Sequence, residues 1–147
     1  FSFVPRVEGE PVANRAEGGK RPRSSMTPTL VFDPEGRFRL AIGSPGGSRI
    51  IDYTTKVVVG VLDWELDVQA AIDLPNIINR NRGTTELETD SPAVRLREGL
   101  EAMGHDVAIR TLTSGLHGIT AIYAPDGRFV RYEGGADRRR EGRALGR

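Results

Sequence analysis

Residues 43–51 read GSPGGSRII. A run that alternates like a strand ends at Gly43, and a long apolar stretch begins at Ile50, so the three glycines and the proline sit where a strand gives way to a helix. Glycine lets a backbone take left-handed angles and approach a partner closely. The first amides of a helix have no intrahelical acceptor, and the helix dipole adds partial positive charge there. Gly46 and Gly47 can therefore direct free N–H groups outward, a site for an anion or for an oxygen that gains charge during reaction. Taken alone, Gly-Gly at such a junction is more often only a turn.

Upstream, TPTLVFDPEGRFRLAIG gives two short β-type runs around Asp33-Pro34-Glu35-Gly36, a hairpin. Downstream, RIIDYTTKVVVGVLDWELDVQAAIDLP divides local propensity: Val57-Val58-Val59 favours a strand, whereas length and scarcity of turn residues favour a helix. A helix buried on most sides is expected, with Gly60 costing about 1 kcal/mol relative to Ala and marking close packing. A second short helix is expected over Asp67 to Asp73, stopped by Pro75. NIINRNRGTTELE reads as irregular with a short strand near Leu87. DSPAVRLREGLEAMGH has the grammar of a helix: Asp90 or Ser91 as cap, Pro92 in the first turn, Val94, Leu96, Leu100 and Met103 as its apolar side, and Gly104 past its end. DVAIRTLT, HGITAIYA and RFVRYEGG follow as strands, the last two joined by Pro125-Asp126-Gly127. Pro5 to Arg23, rich in Pro, Gly and charge, reads as a long irregular segment. This order suits an α/β or α+β sandwich with helices covering an antiparallel sheet.

The 147 residues, 37% hydrophobic and 28% charged, suffice for one domain, 1–147, with one core. Lys+Arg and Asp+Glu total 21 and 20, and a net charge of +1 gives no reason to expect nucleic acid or an anionic membrane as a partner. There is no Cys, which excludes disulfides and thiolate chemistry. The longest dense apolar run, Val57 to Leu62, is far short of the ~20 residues that span a bilayer. Without an initiator Met or a signal peptide, the chain is expected to be a processed or excised piece of something longer.

Familiar catalytic devices are missing. The two histidines, His105 after Gly104 and His117 between Leu116 and Gly118, have no partner at metal-ligand spacing; a cap residue and a loop hydrogen-bonder are the expected roles. GxSxG and GxxxxGK[ST] do not occur. The tail DRRREGRALGR holds Asp137 and Glu141 and no interleaved aromatics, so a solvated C-terminal end is expected rather than a nucleic-acid patch. The adjacent hydroxyls of Ser24 and Ser25, just before a strand, can hydrogen-bond a carboxylate, although serine pairs in loops mostly close ST-turns.

Together, GKRPRSSMTPTLVFD ahead of GSPGGSRII and an apolar helix resemble the C-terminal part of the small subunit of the γ-glutamyltransferases (γ-glutamyl transpeptidases). AIDLP, ELE, LEAMGH and the closing GGADRRREG extend the resemblance over nearly the whole chain. It implies an α+β, N-terminal-nucleophile hydrolase fold, an αββα sandwich of which this chain is the C-terminal portion. It also implies a precursor that cuts itself in two, the Thr heading the new small subunit becoming the nucleophile and its amine the base. By the same resemblance, Ser24 and Ser25 look like the pair that holds the amino-acid head of the γ-glutamyl group, and Gly46 and Gly47 like the oxyanion hole. The implied partners are a γ-glutamyl substrate such as glutathione, the large subunit, and the rest of the small subunit; no cofactor or metal is implied, and the location is the periplasm or outside the cell.

The departures from the family pattern are informative. Phe1 is no nucleophile, the acidic residue for the substrate's α-amino group falls just before this chain, and the arginine for its α-carboxylate comes from the other subunit. Asn76 to Arg82 match weakly a segment where the family often has PRFHHQW, and His117 receives no catalytic role. Half a site is thus expected here, inactive by itself. An acylase of the same superfamily acting on another amide, or an inert fragment serving as a structural module, are the alternative readings.

Overall fold

Asp33 closes the first hairpin with its own side chain. Its carboxylate accepts from the amides of Glu35 (3.1 Å) and Arg37 (2.8 Å) and from Arg37 Nε (2.7 Å), so the turn is held by contacts within four residues. In the computed structural model, which describes residues 2–146, this hairpin joins β3 (Thr29–Phe32) to β4 (Phe38–Gly43). Ahead of it lie β1 (Arg6–Val7) and β2 (Glu10–Pro11), a two-residue ladder inside the segment expected to be irregular.

α1 (Ile50–Leu62) follows a single 3-10 turn, Gly47–Arg49, and α2 (Val68–Asp73) is capped by Asp67, whose carboxylate accepts from Ala70 N at 2.9 Å. The Val57-Val58-Val59 ambiguity resolves to helix because one face has a core to meet. Ile50, Tyr53, Thr54, Val57 and Gly60 are buried, while Ile51 and Leu62 are exposed; α1 is therefore half-buried rather than enclosed on most sides. Gly60 does mark close packing, since a Cβ there would lie 3.0 Å from Ala71 Cβ.

β5 (Ile77–Asn79), β6 (Thr84–Glu88) and β7 (Asp106–Arg110) form a three-stranded sheet in which β6 and β7 run parallel. A parallel pair needs a crossover, and the segment expected to be a regular helix supplies it in a different form. Ser91 caps a 3-10 turn, Pro92–Leu96, which passes into α3 (Arg97–Ala102). Leu96 is 47% and Met103 71% exposed. The cap and the proline stand where expected, but the first turn is 3-10 rather than α, and Leu96 and Met103, although spaced to share a face with Leu100, have no core to meet; Gly104, at φ +89°, ends the element as expected, with His105 N bonded back to Leu100 O.

β8 (His117–Tyr123) and β9 (Phe129–Ala136) complete a four-stranded antiparallel sheet in the order β3-β4-β8-β9. On one face Leu40 and Ile42 pack with Tyr53, Val57, Val68, Ala71 and Ile72, and Leu112, Leu116 and Ile78 extend this core. Gln69 on α2 clasps β9 by exchanging two bonds with the Ala136 backbone (3.0 and 3.1 Å). The opposite face bears exposed Leu30, Phe32, Ile119 and Tyr132.

The charged tail is not the solvated end expected of it. Asp137 is fully buried and Arg139 mostly so, although Arg138 and Leu145 do face water. Asp137 accepts from Ser114 Oγ and the Leu116 amide; Arg139 makes a two-point ion pair with Glu88 and also donates to the carbonyls of Ile72 (3.2 Å) and Leu74 (3.0 Å). Burial pushes the Asp137 carboxyl up, but the Ser114 hydroxyl, the Arg139 and Leu116 amides and the Arg139 charge outweigh it and hold it below the usual range.

Candidate active site

Beyond β4 the chain must reverse into α1, and Gly46 and Gly47 do so at φ +150° and +58°, angles that disfavour a side chain. Gly46 has a second reason to be glycine: a Cβ there would lie 2.7 Å from Tyr53 Cε2, whereas Gly47 faces open space.

Three consecutive carbonyls in this turn are each held. Pro45 O accepts from Ser44 Oγ at 2.7 Å, Gly46 O from the Arg49 amide at 3.2 Å, and Gly47 O from Ser25 Oγ at 2.7 Å and from the Ile50 amide. In a trans peptide the N–H points opposite to the preceding carbonyl. The Gly46 N–H is therefore aimed by the Pro45 carbonyl, and the Gly47 N–H, opposite a carbonyl turned into the helix, is aimed away from it. Among the described residues neither amide has an acceptor. Two fixed donors at the start of a helix can stabilise an oxyanion without reorganising at the moment of reaction.

The serine pair arrives at the same place. Ser25 Oγ spends its proton on Gly47 O and keeps lone pairs free, whereas Ser24 Oγ accepts from the Met26 amide at 3.1 Å and has no acceptor for its own proton among the described residues. Ser24 thus does close the ST-turn, and Ser25 spans 22 positions to the glycine turn. All four residues singled out from sequence, Ser24, Ser25, Gly46 and Gly47, are brought together through this one bond and the chain connections beside it.

Sequence reasoning missed the charges behind them. Arg49, in the first turn, meets buried Glu86 of β6 through Nε (2.7 Å) and Nη2 (3.1 Å), and Arg80 adds a third contact at 2.8 Å while reaching Ser48 Oγ at 3.3 Å. The Arg49 hydrogen bond holds the Glu86 carboxyl below its ordinary value despite burial, and both arginine charges add to that. Two guanidiniums share the Glu86 carboxylate, and Asp52, in the first turn of α1 and within reach of the Arg80 charge, offsets the second of them. The pairs run between separate strands and turns, and nothing local in the sequence marks them.

On the other side of α1, Lys56 enters the core. Its Nζ donates to Leu74 O (2.7 Å), Asn76 Oδ1 (2.9 Å) and Ile72 O (3.1 Å), while Asn76 Nδ2 donates to Ser114 Oγ (3.0 Å). Burial, reinforced by the neighbouring Arg139 charge, pulls the Lys56 pKa down to about 8. Asn76, from the weakly matching segment, is thus a buried structural residue. His117 opens β8 rather than lying in a loop, and its Nδ1 bonds the Gly115 carbonyl of the preceding turn at 3.1 Å. Among the described residues no three His, Asp or Glu side chains converge on a point that would hold a metal, and no helix is long and apolar enough to cross a membrane.

The family model for gamma-glutamyltranspeptidase matches residues 3–147. The chain belongs to the γ-glutamyltranspeptidase family. It is 31% identical over 134 residues to a glutathione hydrolase proenzyme of Bacillus subtilis, covering 91% of this chain and 22% of that protein. An acylase proenzyme of Pseudomonas sp. strain SE83 is 34% identical over 110 residues, 74% of this chain and 19% of its own length. Among solved structures, a mutant of Helicobacter pylori γ-glutamyltranspeptidase superposes with a TM-score of 0.77 at 28% identity, over 94% of this chain and 74% of that one. The chain thus spans about a fifth of the curated relatives it matches. Its fold is the α+β, N-terminal-nucleophile hydrolase fold of this family.

Proposed function

We propose that residues 1–147 are one domain, the C-terminal part of the small subunit of an enzyme that transfers the γ-glutamyl group of glutathione or a related donor to water, an amino acid or a peptide. The observation that carries this reading is the pair of amides at Gly46 and Gly47 that have no acceptor among the described residues, held by pinned carbonyls and tied to the serine pair by the 2.7 Å bond from Ser25. The Ser24 hydroxyl donates to the substrate's α-carboxylate, and Ser25 completes the grip on the amino-acid head.

A Thr elsewhere in the precursor attacks the γ-carbonyl carbon, its hydroxyl proton passing to the Thr amine. The carbonyl oxygen becomes an oxyanion in front of the two glycine amides. Collapse breaks the C–N bond, the protonated amine returns its proton to the leaving amine, and water or an acceptor amine then attacks the γ-glutamyl ester. This chain supplies the oxyanion hole and half of the substrate grip, so by itself it turns nothing over. The exposed face of the four-stranded sheet, with Leu30, Phe32, Ile119 and Tyr132, packs against the remainder of the small and large subunits, formed by self-cleavage of the precursor. With its family, the parent enzyme works in the periplasm or outside the cell.

The acylase relative favours a second reading, in which the same machinery cleaves another amide. Assay of the full precursor with γ-glutamyl-p-nitroanilide and with a glutaryl β-lactam amide separates the two. Turnover of the first, with a raised KM in Ser24→Ala and Ser25→Ala, is expected; turnover of the β-lactam amide alone would overturn the γ-glutamyl assignment, and turnover of neither would leave an inert structural module.

A further inference from the structure

Ser44 is not among the residues that meet the substrate, yet its hydroxyl stands at the junction of two segments far apart in sequence. Its Oγ accepts from the Gly115 amide at 3.1 Å and donates to Pro45 O at 2.7 Å. Gly115 is itself firmly placed. Next to it the Leu116 amide and the Ser114 hydroxyl are both bound by Asp137, and Arg140 donates twice to Thr113 O (3.1 and 3.0 Å). A Cβ on Gly115 would lie 2.8 Å from both Pro45 Cγ and Arg140 Cδ, so the glycine lets this turn sit directly against the proline.

From this geometry we infer that Ser44 is a positioning residue for the oxyanion hole: it fixes the Pro45–Gly46 peptide plane, and thereby the direction of the Gly46 N–H, by relaying the placement of the 114–116 turn. The inference rests on the reading of Gly46 and Gly47 given above. Pro45 has no amide hydrogen to anchor this stretch, and among the described residues the Ser44 hydroxyl is the only donor to the Pro45 carbonyl. Without it, the plane rotates more freely and one of the two donors loses its aim as the oxyanion forms. Because the ground-state carbonyl draws less on that donor, the loss falls on turnover rather than on binding.

The test uses the full precursor after maturation. In Ser44→Ala, kcat for γ-glutamyl-p-nitroanilide is expected to fall about 10-fold, less than the ~100-fold or more for removal of a whole donor, with KM within about twofold. Ser44→Thr, which keeps the hydroxyl, is expected to recover most of kcat. A phosphonate analogue of the tetrahedral γ-carbon should lose affinity for the Ala variant in step with kcat, while glutamate binding stays unchanged; a fold defect would weaken both alike. Unchanged kcat in Ser44→Ala, or failure of Thr to restore it, overturns the positioning role while leaving the γ-glutamyl assignment intact. An active wild type in which Gly47→Val also keeps its kcat removes the oxyanion-hole reading and this inference with it.

Discussion

Arg139 and Glu88 lie 51 positions apart and meet in a two-point ion pair inside the protein. The same guanidinium bonds Asp137 at 3.2 Å and caps the carbonyls at the end of α2, so one side chain joins the tail, β6 and a helix terminus.

Removing that cation leaves Glu88 without its ion-pair partner and Asp137 without its arginine, with only Lys56, among the described residues, nearby as positive charge. Arg139→Met is expected to cost about 3–5 kcal/mol, the usual penalty for breaking a buried pair from one side. Combining it with Glu88→Gln should recover part of the loss. Urea unfolding of the matured enzyme checks both; a loss under about 1 kcal/mol, typical of exposed pairs, would show the contact to be solvated.

Lys56 gives a pH signature. Its pKa of about 8 in the fold lies below the 10.5 of an ordinary lysine. Below pH 8 both states hold the proton; between about 8 and 10.5 only the unfolded chain does, so this residue's contribution to stability rises with pH across that window. The stability difference between wild type and Lys56→Met should therefore grow in favour of wild type from pH 8 to 10.5. A flat difference would contradict the buried placement of the ammonium.

Glu86 behaves in the opposite sense. Its carboxyl is held below the usual 4.5 by Arg49 first and then by Arg80, so the stability it contributes is present above that value and disappears as pH falls through its lowered pKa. Wild type and Glu86→Gln should converge in stability as the solution is acidified. If the gap persists below pH 3, ionisation of Glu86 is not its source.

The two glycines of the turn should respond differently to substitution. Gly46→Ala meets Tyr53 and a φ of +150°, so it should lower stability by about 1–3 kcal/mol and also reduce kcat. Gly47 has space around it, and a β-branched residue there pays only for φ +58°; Gly47→Val should damage rate more than folding. Comparison of kcat with Tm decides: equal losses at Gly47 would count against its place in the oxyanion hole.

What could be read from the residues alone was mostly what neighbours decide. Asp33 closes its own hairpin, Asp67 caps α2 and Pro75 follows its end, and the Ser24–Ser25 and Gly46–Gly47 pairs are each local. The bond joining those pairs, like the pairings of Glu86 with Arg49 and Arg80 and of Glu88 with Arg139, depends on which segments the sheet brings together, and no periodicity records it. β5 escaped notice because Ile77–Asn79 is too short to alternate visibly and exists by pairing with β6. The segment after Ser91 misled for another reason: cap, proline and final glycine were all in place, but the side formed by Leu96, Leu100 and Met103 meets no core, and only its second half is α-helical.

The order of Glu88 and Arg139 along the chain bears on synthesis. Glu88 leaves the ribosome 51 residues before its two-point partner does. A nascent chain released early, even one retaining every strand and helix, would carry a largely buried acid that lacks its two-point partner. Such products should stay partly open and be degraded, which makes translation through Arg139 a checkpoint on this half of the fold.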